Sequence, residues 1–394
     1  MTARPKVVFC SHAAERTGPP LVLFRFLRWL GPDRPFDVEL VFGEGGDLLE
    51  EFRELGPVHV LDEYRPPPWV LVTDSVLHRL RLGTVARRLR RWALARRLAG
   101  VGRHDLVYVN TAGSIRALRY LPRCERRVIT HVHELGIGLD HHLAPEDRAL
   151  VLEVTDHYLT VADAVTRVVV EDLGVDPTLV TRRYGFVQDD QLDPTPEDVA
   201  AARATLSVPD GTLVVGASGL THWRKAPDLF LLLAQALRAR LGDRVHLVWV
   251  GGAPDEPSFQ PYRYDLEQAW LGDLVTFVPH VDDPTPYFAN FDVFVLTSRE
   301  DAFPLVGLEA AAVGCPVTCF ETGGMPELIA DDAGLHVPYP DVDALADGIA
   351  ALLEDDEARR RAGAAARRRI HDRHRASVQG PGILADIEAV LADG

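Results

Sequence analysis

Two acidic residues lie just before and within one apolar helical segment, and their spacing suits a ligand rich in hydroxyl groups. From Ser298 to Leu328 the segment reads SREDAFPLVGLEAAAVGCPVTCFETGGMPEL, with Asp301 before the helix and Glu309 inside it. A carboxylate among leucines and alanines is costly to bury unless a hydrogen-bond donor meets it. Two neighbouring ribose hydroxyls are such donors, which makes Glu309 a candidate ribose ligand. The alternative is a buried α/β helix in which Glu309 caps a neighbouring loop.

The start of the same helix offers backbone amides to a second kind of ligand. Proline suits the first helical position and glycine a helix end, so the helix should begin at Pro304 and stop near Gly314. A helix N-terminus carries about half a positive charge and favours phosphate or polarised hydroxyls. The residues at this end that we expect near such a ligand are Ala302, Phe303, Leu305 and Val306.

A single lysine marks the second candidate segment, TLVVGASGLTHWRKAPDLFLLLAQAL. A β-rich run passes through a glycine-bearing loop into a helix that should begin near Pro227. Such loops, at the carboxyl ends of parallel strands, are where α/β proteins bind ligands. Of the 42 lysines and arginines in the chain, only Lys6 and Lys225 are lysines. A diphosphate would explain the ammonium of Lys225, because lysine offers a compact mobile charge and arginine a planar fork.

These motifs together resemble the donor site of glycosyltransferase family 4, the retaining group 1 glycosyltransferases of the GT-B fold. The resemblance rests on Asp301, seven intervening residues, Glu309, and the following GCPV and TGGMPE. The family usually has glutamate at both ends of this spacing, whereas this chain has Asp301 at the first. In such enzymes the lysine neutralises the leaving diphosphate, usually with an arginine just after the preceding glycine. Here Arg224 would supply that charge from a shifted position, and a solvent-facing Arg224 is the alternative.

The resemblance also implies roles in the amino-terminal half. In SHAAERTGPPLVLFRFLRWL, Thr17, Gly18 and two prolines should shape a tight loop that approaches the donor diphosphate, or else a plain strand-to-helix turn. In ITHVHELGIGLDHH, His133 and Glu134 match the place where the family presents a histidine to the donor sugar or acceptor. A structural histidine is the alternative there. A metal site is disfavoured, because glycosyl transfer on GT-B folds generally needs no bound metal.

The resemblance therefore implies three sets of site residues and no metal ligand. The catalytic residues would be Lys225, Asp301 and His133. The donor-binding residues would be Thr17, Gly18, Gly219, Arg224, Lys225, Asp301, Ala302, Phe303, Leu305, Val306 and Glu309. The acceptor-side residues would be His133, Glu134 and Asn110.

Length and element pattern indicate an α/β protein of more than one domain. At about 150 residues per domain, 394 residues predict two or three. Runs such as KVVFC, HDLVYVN and RVHLVWVGG alternate with helical stretches, which is typical of parallel sheets flanked by helices. With the resemblance, we expect a GT-B fold with two Rossmann-like, doubly wound parallel-sheet domains facing a cleft. The expected parts are an acceptor-side domain over 1–187, a linker over 188–211, a nucleotide-sugar domain over 212–372, and a carboxyl-terminal helix over 373–394 packing on the first domain.

Charge separates the two halves of the chain. Residues 1–185 carry net +2 and the remainder −18, which sum to the formal −16 and argue against a general nucleic-acid binder. Between Ser75 and His104 there are nine arginines and no acid, and TVARRLRRWALARRLAG predicts an amphipathic basic helix over 84–100. It is either a solvated surface helix or a contact for an anionic membrane face or a phosphorylated acceptor. No segment has the pattern of a membrane span or secretory signal, so we expect a cytoplasmic protein, peripheral at the inner membrane face if the helix binds lipid.

The function expected from the resemblance is transfer of a sugar from a nucleotide diphosphate sugar to an acceptor hydroxyl, with retention. Its setting would be cell-surface glycan, glycolipid or natural-product biosynthesis, with no cofactor besides the donor substrate. The motifs G-x-G-x-x-G and G-x-x-x-x-G-K-[ST] are absent, which disfavours NAD enzymes and P-loop NTPases. Two alternatives stay open: a catalytically silent GT-B subunit, and a GT-B sugar-nucleotide epimerase or hydrolase. The sequence does not determine the nucleotide base of the donor, the sugar that is transferred or the acceptor.

Overall fold

The chain forms two compact units in the computed structural model, which describes residues 4–61, 73, 79, 83–190, 193–206, 208, 209, 211–252 and 254–393. The first unit comprises Met1–Val161, Val165–Arg183 and Gly380–Gly394, and the second comprises Ala162–Ala164 and Tyr184–Gln379. The chain therefore passes between the units more than once, and each unit has its own sheet.

The first unit contains a seven-stranded sheet in which all pairs of strands are parallel, in the order β3-β2-β1-β4-β5-β6-β7. Its strands are β1 (Lys6–Ala13), β2 (Asp37–Glu44), β3 (Val58–Val60), β4 (Leu106–Asn110), β5 (Arg127–Val132), β6 (His157–Thr160) and β7 (Val180–Arg182). The central strands are continuous apolar runs, as expected when helices cover both faces of a parallel sheet.

The second unit contains a six-stranded parallel sheet in the order β10-β9-β8-β11-β12-β13. Its strands are β8 (Leu213–Ser218), β9 (Val245–Gly252), β10 (Val275–Pro279), β11 (Val293–Leu296), β12 (Val317–Phe320) and β13 (Gly334–Val337). The strand order reverses between β8 and β11, and in the first unit between β1 and β4. In open α/β sheets ligands bind beyond the carboxyl ends of the strands at such a reversal.

Helices connect the strands, with short turns of other helix types between them. In chain order the α-helices are α1 (Gly18–Leu30), α2 (Leu49–Leu55), α3 (Gly83–Arg97), α4 (Gly136–His142), α5 (Pro145–Val154), α6 (Asp163–Arg167), α7 (Pro196–Thr205), α8 (Pro227–Leu241), α9 (Gln260–Gln268), α10 (Thr285–Phe288), α11 (Leu305–Ala312), α12 (Met325–Ile329), α13 (Val342–Glu354), α14 (Asp356–Arg373) and α15 (Ala376–Ala392). The 3₁₀ turns are Leu98–Val101, Ala112–Arg119, Pro177–Leu179, Gly242–Arg244 and Pro257–Phe259, and Val168–Asp172 is a π turn.

The core of the second unit shows why α8 forms where it does. Pro227 occupies the first turn, and the following apolar residues recur at helical spacing, so that Phe230, Leu233 and Leu237 are fully buried. They pack in one cluster with Trp249 of β9, whose ring lies edge-on to Phe230 at 5.2 Å between centroids. This packing fixes the start of α8, and with it the loop that precedes the helix.

The predicted fold class is confirmed, since both units are Rossmann-like parallel sheets with helices. The strands that we did not predict, β3, β6, β7 and β13, have three or four residues each. Their periodicity is too short to distinguish them from loop segments, and only pairing with a longer neighbour defines them.

Two segments show how the units are divided. The described part of 188–211, which we predicted as a linker, contains α7 and lies in the second unit, where Thr195 Oγ1 accepts the Asp198 amide hydrogen at 3.2 Å as an N-cap. At the carboxyl terminus, α15 enters the first unit from Gly380 onward. There Asp386 accepts two hydrogen bonds from Arg183, at 2.6 and 2.8 Å.

Candidate functional site

The loop that follows β8 carries Lys225 at the reversal of the second sheet. Its first residue, Gly219, has φ +140°, a backbone conformation that side-chain-bearing residues rarely adopt. A Cβ at Gly219 would lie 3.2 Å from Cε of Lys225, so the glycine leaves room for the lysine stem. The Gly219 carbonyl accepts a hydrogen bond from Trp249 Nε1 at 2.8 Å, and its amide donates to the Val250 carbonyl at 2.9 Å. The loop is therefore tied to β9 where it begins.

The end of this loop is a tight turn that leads into α8. The Lys225 and Ala226 amides both donate to the His222 carbonyl, and Ala226 is in the left-handed region at φ 54°. The Arg224 amide donates to Nδ1 of His222 at 3.2 Å. Burial lowers the pKa of His222, and the charges of Arg224 and Lys225 lower it further. The turn thus holds a neutral imidazole beside two cations, an environment that favours an anion.

Lys225 and Asp301 form an ion pair between Nζ and Oδ2. Their side chains are 16% and 17% exposed, so the pair is shielded but open to solvent. Asp301 lies in the loop after β11, the strand next to β8, so the fold brings together residues that are 76 positions apart. The structure thus joins two of the predicted catalytic residues. Asp301 balances the charge of Lys225.

The glycine pair of TGGMPE supports the loop that carries Asp301. Gly323 makes a parallel bridge to Asp301, and the Gly324 amide donates to the Ala302 carbonyl at 2.9 Å. A Cβ at Gly324 would lie 2.6 Å from that carbonyl oxygen and 2.5 Å from Cβ of Ala162, a clash on both sides. The glycine is therefore needed for close packing, and this part of the motif supports the loop that carries Asp301.

The helix after this loop, α11, begins at Leu305, one residue later than predicted. Pro304 is the residue before the helix, with an extended ψ of 120°, and its carbonyl accepts the Gly307 amide at 3.1 Å. The position suits proline equally well, because it has no amide hydrogen to donate. The first amides of a helix have no acceptors within it, and those of α11 belong to Leu305 and Val306.

Glu309 lies one turn into α11 and is buried, with 8% of its surface exposed. It shares a helix face with Leu305, four residues earlier, and the remaining residues of α11 are apolar. Gly314, at φ 85°, follows the helix and ends it as predicted. Phe303 is buried against Tyr184 and His374, with ring centroids 5.3 and 5.4 Å away, so its side chain is a packing element. Only its backbone remains as a candidate ligand contact.

Arg299 contacts the loop that carries Lys225, and the sequence did not single it out. Its side chain donates to both carboxylate oxygens of Asp228, at 2.9 and 2.5 Å, and to the Trp223 carbonyl at 2.9 Å. Its amide donates to the Arg224 carbonyl at 2.8 Å. The sequence feature that could have pointed to Arg299 is its position two residues before Asp301. Its side-chain partners, however, are more than 70 residues away in the sequence.

In the first unit, a buried polar group lies at the carboxyl ends of β4 and β5. Tyr108 Oη hydrogen-bonds Nδ1 of His131 at 2.7 Å, and the rings of His131 and His133 lie 4.1 Å apart. Burial lowers the pKa of His131 to about 3 and that of His133 well below its usual value. Both rings are neutral at pH 7. Nε2 of each is buried without a hydrogen-bond partner among the described residues.

The neighbouring acceptor-side candidates have backbone partners. Asn110 is fully buried opposite His131, and its Nδ2 donates to the Pro19 carbonyl at 3.0 Å. The Glu134 carboxylate accepts the His133 amide at 2.8 Å and the Ala112 amide at 3.4 Å. Burial raises the pKa of Glu134, and these backbone hydrogen bonds oppose the rise. Both residues thus hold local backbone, whether or not they also contact a ligand.

The predicted loop at Thr17 and Gly18 is shorter than expected. Helix α1 already begins at Gly18, with Thr17 as the residue before it and both prolines in its first turn. Proline is common at this position because its fixed φ matches that of the helix. Gly18 is exposed, its φ is not left-handed, and an added Cβ would meet nothing within 4 Å. The backbone therefore does not require glycine there.

The basic segment is helical over Gly83–Arg97, close to the predicted range. Trp92 is 49% exposed, and the guanidinium of Arg96 lies 5.2 Å from the centre of its ring. Arg88 and Arg91 are also exposed. The side chains of the other arginines predicted to face an anion, Arg87 and Arg90, and residues 74–78 and 80–82 lie outside the described residues. Within the described residues, no helix combines the length and the apolar character that a bilayer crossing demands.

Part of the chain is similar in sequence to known proteins. Residues 198–369 match the family model described as glycosyl transferases group 1. The D-inositol 3-phosphate glycosyltransferase of Stackebrandtia nassauensis is 32% identical over 255 residues, which are 59% of this chain and 56% of that protein. The enzyme of the same name from Geodermatophilus obscurus is 35% identical over 231 residues, 55% of this chain and 48% of that protein. The chain thus spans about half the length of the curated relatives it matches.

Solved structures resemble the chain over nearly its whole length. Anabaena Alr3699/HepE in complex with UDP-glucose has a TM-score of 0.79 at 19% identity, covering 98% of this chain and 99% of that one. WaaG, a glycosyltransferase involved in lipopolysaccharide biosynthesis, has a TM-score of 0.71 at 15% identity, covering 97% and 99%. At these identities the likeness concerns the fold.

Proposed function

We propose that this chain, whose residues 198–369 match the model for group 1 glycosyl transferases, transfers a sugar from a nucleotide diphosphate sugar to an acceptor hydroxyl. The observation that carries the proposal is the shielded Lys225–Asp301 pair at the strand reversal of the second sheet. A mobile ammonium and a carboxylate at one point match a substrate that presents a diphosphate beside sugar hydroxyls. A lysine alone or an aspartate alone would not indicate such a substrate.

Each part of this site has a role in the proposal. Lys225 leaves its contact with Asp301 to bind the diphosphate, and Asp301 accepts hydrogen bonds from hydroxyls of the donor sugar. The amides of Leu305 and Val306 face the same anion, because the amino end of a helix carries positive charge. Glu309 accepts hydrogen bonds from the ribose hydroxyls.

The reaction proposed is a displacement at the anomeric carbon with retention of configuration. The bond from this carbon to the leaving phosphate oxygen breaks, and a bond to the acceptor oxygen forms on the same face. The acceptor proton passes to the leaving phosphate, so the protein supplies no nucleophile. Lys225 and the helix amides stabilise the charge that grows on the phosphate, and the loss of one such group typically costs about 2.7 to 4 kcal/mol in the barrier.

The remaining assignments stay predictions. They are a second contact to the diphosphate by Gly219 and Arg224, an approach by Thr17 and Gly18, and contacts of His133, Glu134 and Asn110 on the acceptor side. The cleft expected between the two domains and independence from metal also stay predictions. His133, as a neutral ring, would serve as a hydrogen-bonding group and not as a cation.

Ligand binding tests the donor site directly. We expect UDP, GDP, ADP or TDP, or one of their sugar conjugates, to raise the melting temperature, with UDP and UDP-glucose tried first because HepE binds them. A ligand at 100 times its Kd adds about 2.7 kcal/mol to the free energy of unfolding. If no member of the panel changes the melting temperature, the proposed assignment of the donor site is wrong.

Product analysis then separates transfer from the alternatives. With the bound donor and an acceptor panel that begins with D-inositol 3-phosphate, the substrate in the relatives' name, a transferase releases nucleotide and forms a glycoside. An epimerase converts the donor and a hydrolase releases free sugar, both without an acceptor. A silent subunit binds nucleotide and releases none, even with acceptors and partner protein present.

We also propose that α3 contacts an anionic membrane face, which would hold the enzyme near a lipid-linked acceptor. An exposed indole among exposed guanidiniums suits the interface, where each basic residue near an anionic surface contributes about 1 kcal/mol. The wild type should float with vesicles of phosphatidylcholine and phosphatidylglycerol and not with phosphatidylcholine alone. The triple variant Arg88→Glu, Arg91→Glu, Arg96→Glu should lose most of this recovery.

The control for flotation is a charge reversal of equal size on another exposed helix face. Arg360, Arg361 and Arg368 of α14 are exposed, and changing all three to glutamate should leave flotation unchanged. If both triple variants lose recovery equally, the binding reflects overall charge and not α3. If the wild type binds neither vesicle, α3 is a solvated helix or contacts a phosphorylated acceptor.

A further inference from the structure

We propose that Arg299 is the positioning residue for Lys225: it clamps the loop 219–226 so that the ammonium meets the diphosphate. This inference rests on the proposed function, because it assumes that Lys225 binds the donor. It assigns to Arg299 no contact with the substrate. The residue acts through the place and orientation of the lysine.

The first observation is the set of side-chain contacts of Arg299. Its guanidinium forms a two-pronged pair with Asp228, the second residue of α8, and the Nη1 prong also donates to the Trp223 carbonyl. One planar group thereby links the loop two residues before Lys225 to the helix three residues after it. The guanidinium also lies 5.4 Å from the centre of the Trp223 ring, which is otherwise 53% exposed.

The second observation is the backbone attachment on the same side of the loop. The Arg299 amide donates to the Arg224 carbonyl at 2.8 Å, and the single Thr297 hydroxyl hydrogen is shared between the carbonyls of Lys225 and Ala226, which lie 3.2 and 3.1 Å from Oγ1. The segment after β11 thus holds three consecutive carbonyls of the lysine loop. Two residues after Arg299, the same segment presents Asp301, so one segment holds both the lysine loop and the lysine's counter-ion.

The third observation is that the arginine of this pair is largely buried, while the Asp228 side chain is 40% exposed. The Arg299 side chain is 16% exposed. Burial by itself raises the pKa of Asp228, but hydrogen bonds from Arg299 and its charge reverse this, so that the pKa is lowered and the carboxylate is ionised at neutral pH. A partly buried, two-pronged arginine pair holds its geometry better than an exposed one, because solvent and salt screen it less.

The unit contains a matched pair for comparison. Arg240, at the other end of α8, also forms ion pairs through its guanidinium, although with two carboxylates, those of Asp343 and Asp347. Both of these acids are mostly exposed, and the pair lies at the end of the helix away from Lys225. Arg299 and Arg240 therefore form similar arginine–carboxylate pairs at opposite ends of α8, and only the pair of Arg299 lies beside Lys225.

The decisive experiment is a double-mutant cycle between Arg299→Lys and Lys225→Ala, with kcat/KM for the donor and the Kd of the best-binding nucleoside diphosphate measured in each variant. Arg299→Lys keeps the charge but loses the planar fork. We expect kcat/KM to fall on the order of 10- to 100-fold, because a misplacement of about 1 Å costs this much. In the Lys225→Ala background the same change should cost less than about twofold, because there is no lysine left to position.

Two further variants distinguish positioning from general support. Asp228→Asn should reproduce the loss of Arg299→Lys, and Arg240→Lys should leave kcat/KM and Kd unchanged. If the effects of Arg299→Lys and Lys225→Ala multiply, or if Arg240→Lys is equally damaging, Arg299 is merely structural and the inference falls while the proposed function stands. If Lys225→Ala itself retains wild-type kcat/KM and Kd, or if no nucleoside diphosphate binds, the proposed function fails and this inference fails with it.

Discussion

Lys225→Ala should lower kcat by about 100- to 1,000-fold and change the Kd of the nucleotide far less. Removing one group that stabilises charge in a transition state has this effect when the charge develops as the bond breaks. Before the donor binds, the ammonium already has a partner in Asp301, so exchanging that carboxylate for a phosphate gains little net binding. Steady-state kinetics and calorimetry on the same preparations give kcat, KM and Kd separately.

Lys6→Ala is the matched control, because Lys6 is the other lysine of the chain and also forms a shielded pair, with Glu39 at 2.9 Å. It lies in β1, at the amino end of its strand and away from the carboxyl ends that bind ligands. This variant should lose some stability and keep its kcat. A loss confined to KM in Lys225→Ala, with kcat unchanged, would contradict the catalytic role.

Glu309→Gln should weaken ribonucleotide donors by roughly 10- to 100-fold, because a hydrogen bond to a charged group contributes about 1.5 to 3 kcal/mol. The glutamine fills the same space on α11, so packing is preserved. A 2′-deoxyribonucleotide donor lacks one of the two hydroxyls and should bind the variant and the wild type almost alike. Comparing the Kd of the two donors in both proteins therefore isolates the ribose contact.

The thermal stability of Glu309→Gln provides the second measurement. If the carboxylate instead caps backbone within the protein, the variant loses stability without any ligand, and both donors weaken together. That outcome would make Glu309 a structural residue and leave the ribose contact without a candidate. A normal melting temperature with a loss specific to the ribose donor supports the assignment.

Candidate donor-site residues could be named from the sequence because their chemistry is concentrated in two short segments. Lys225 was conspicuous as one of only two lysines in the chain. Asp301 and Glu309 had a recognisable spacing around a helix, and the predicted start of this helix was one residue too early. The sequence constrained the roles of the candidate residues in the first unit less, because a glycine or a histidine occurs in many local structures. Thr17 and Gly18 illustrate this: the two prolines that suggested a loop belong to the first turn of α1.

The sequence by itself determined the alternation of strands and helices, and it offered candidate residues whose chemistry suits phosphate and hydroxyls, since both depend on local periodicity and side-chain chemistry. Only the tertiary structure decided that Lys225 pairs with Asp301 and that Arg299 clamps the lysine loop through Asp228 and Trp223. These contacts join segments more than 70 residues apart. They exist because β8 and β11 are neighbours in the sheet, and strand order follows from how the whole apolar core packs, which no local pattern encodes.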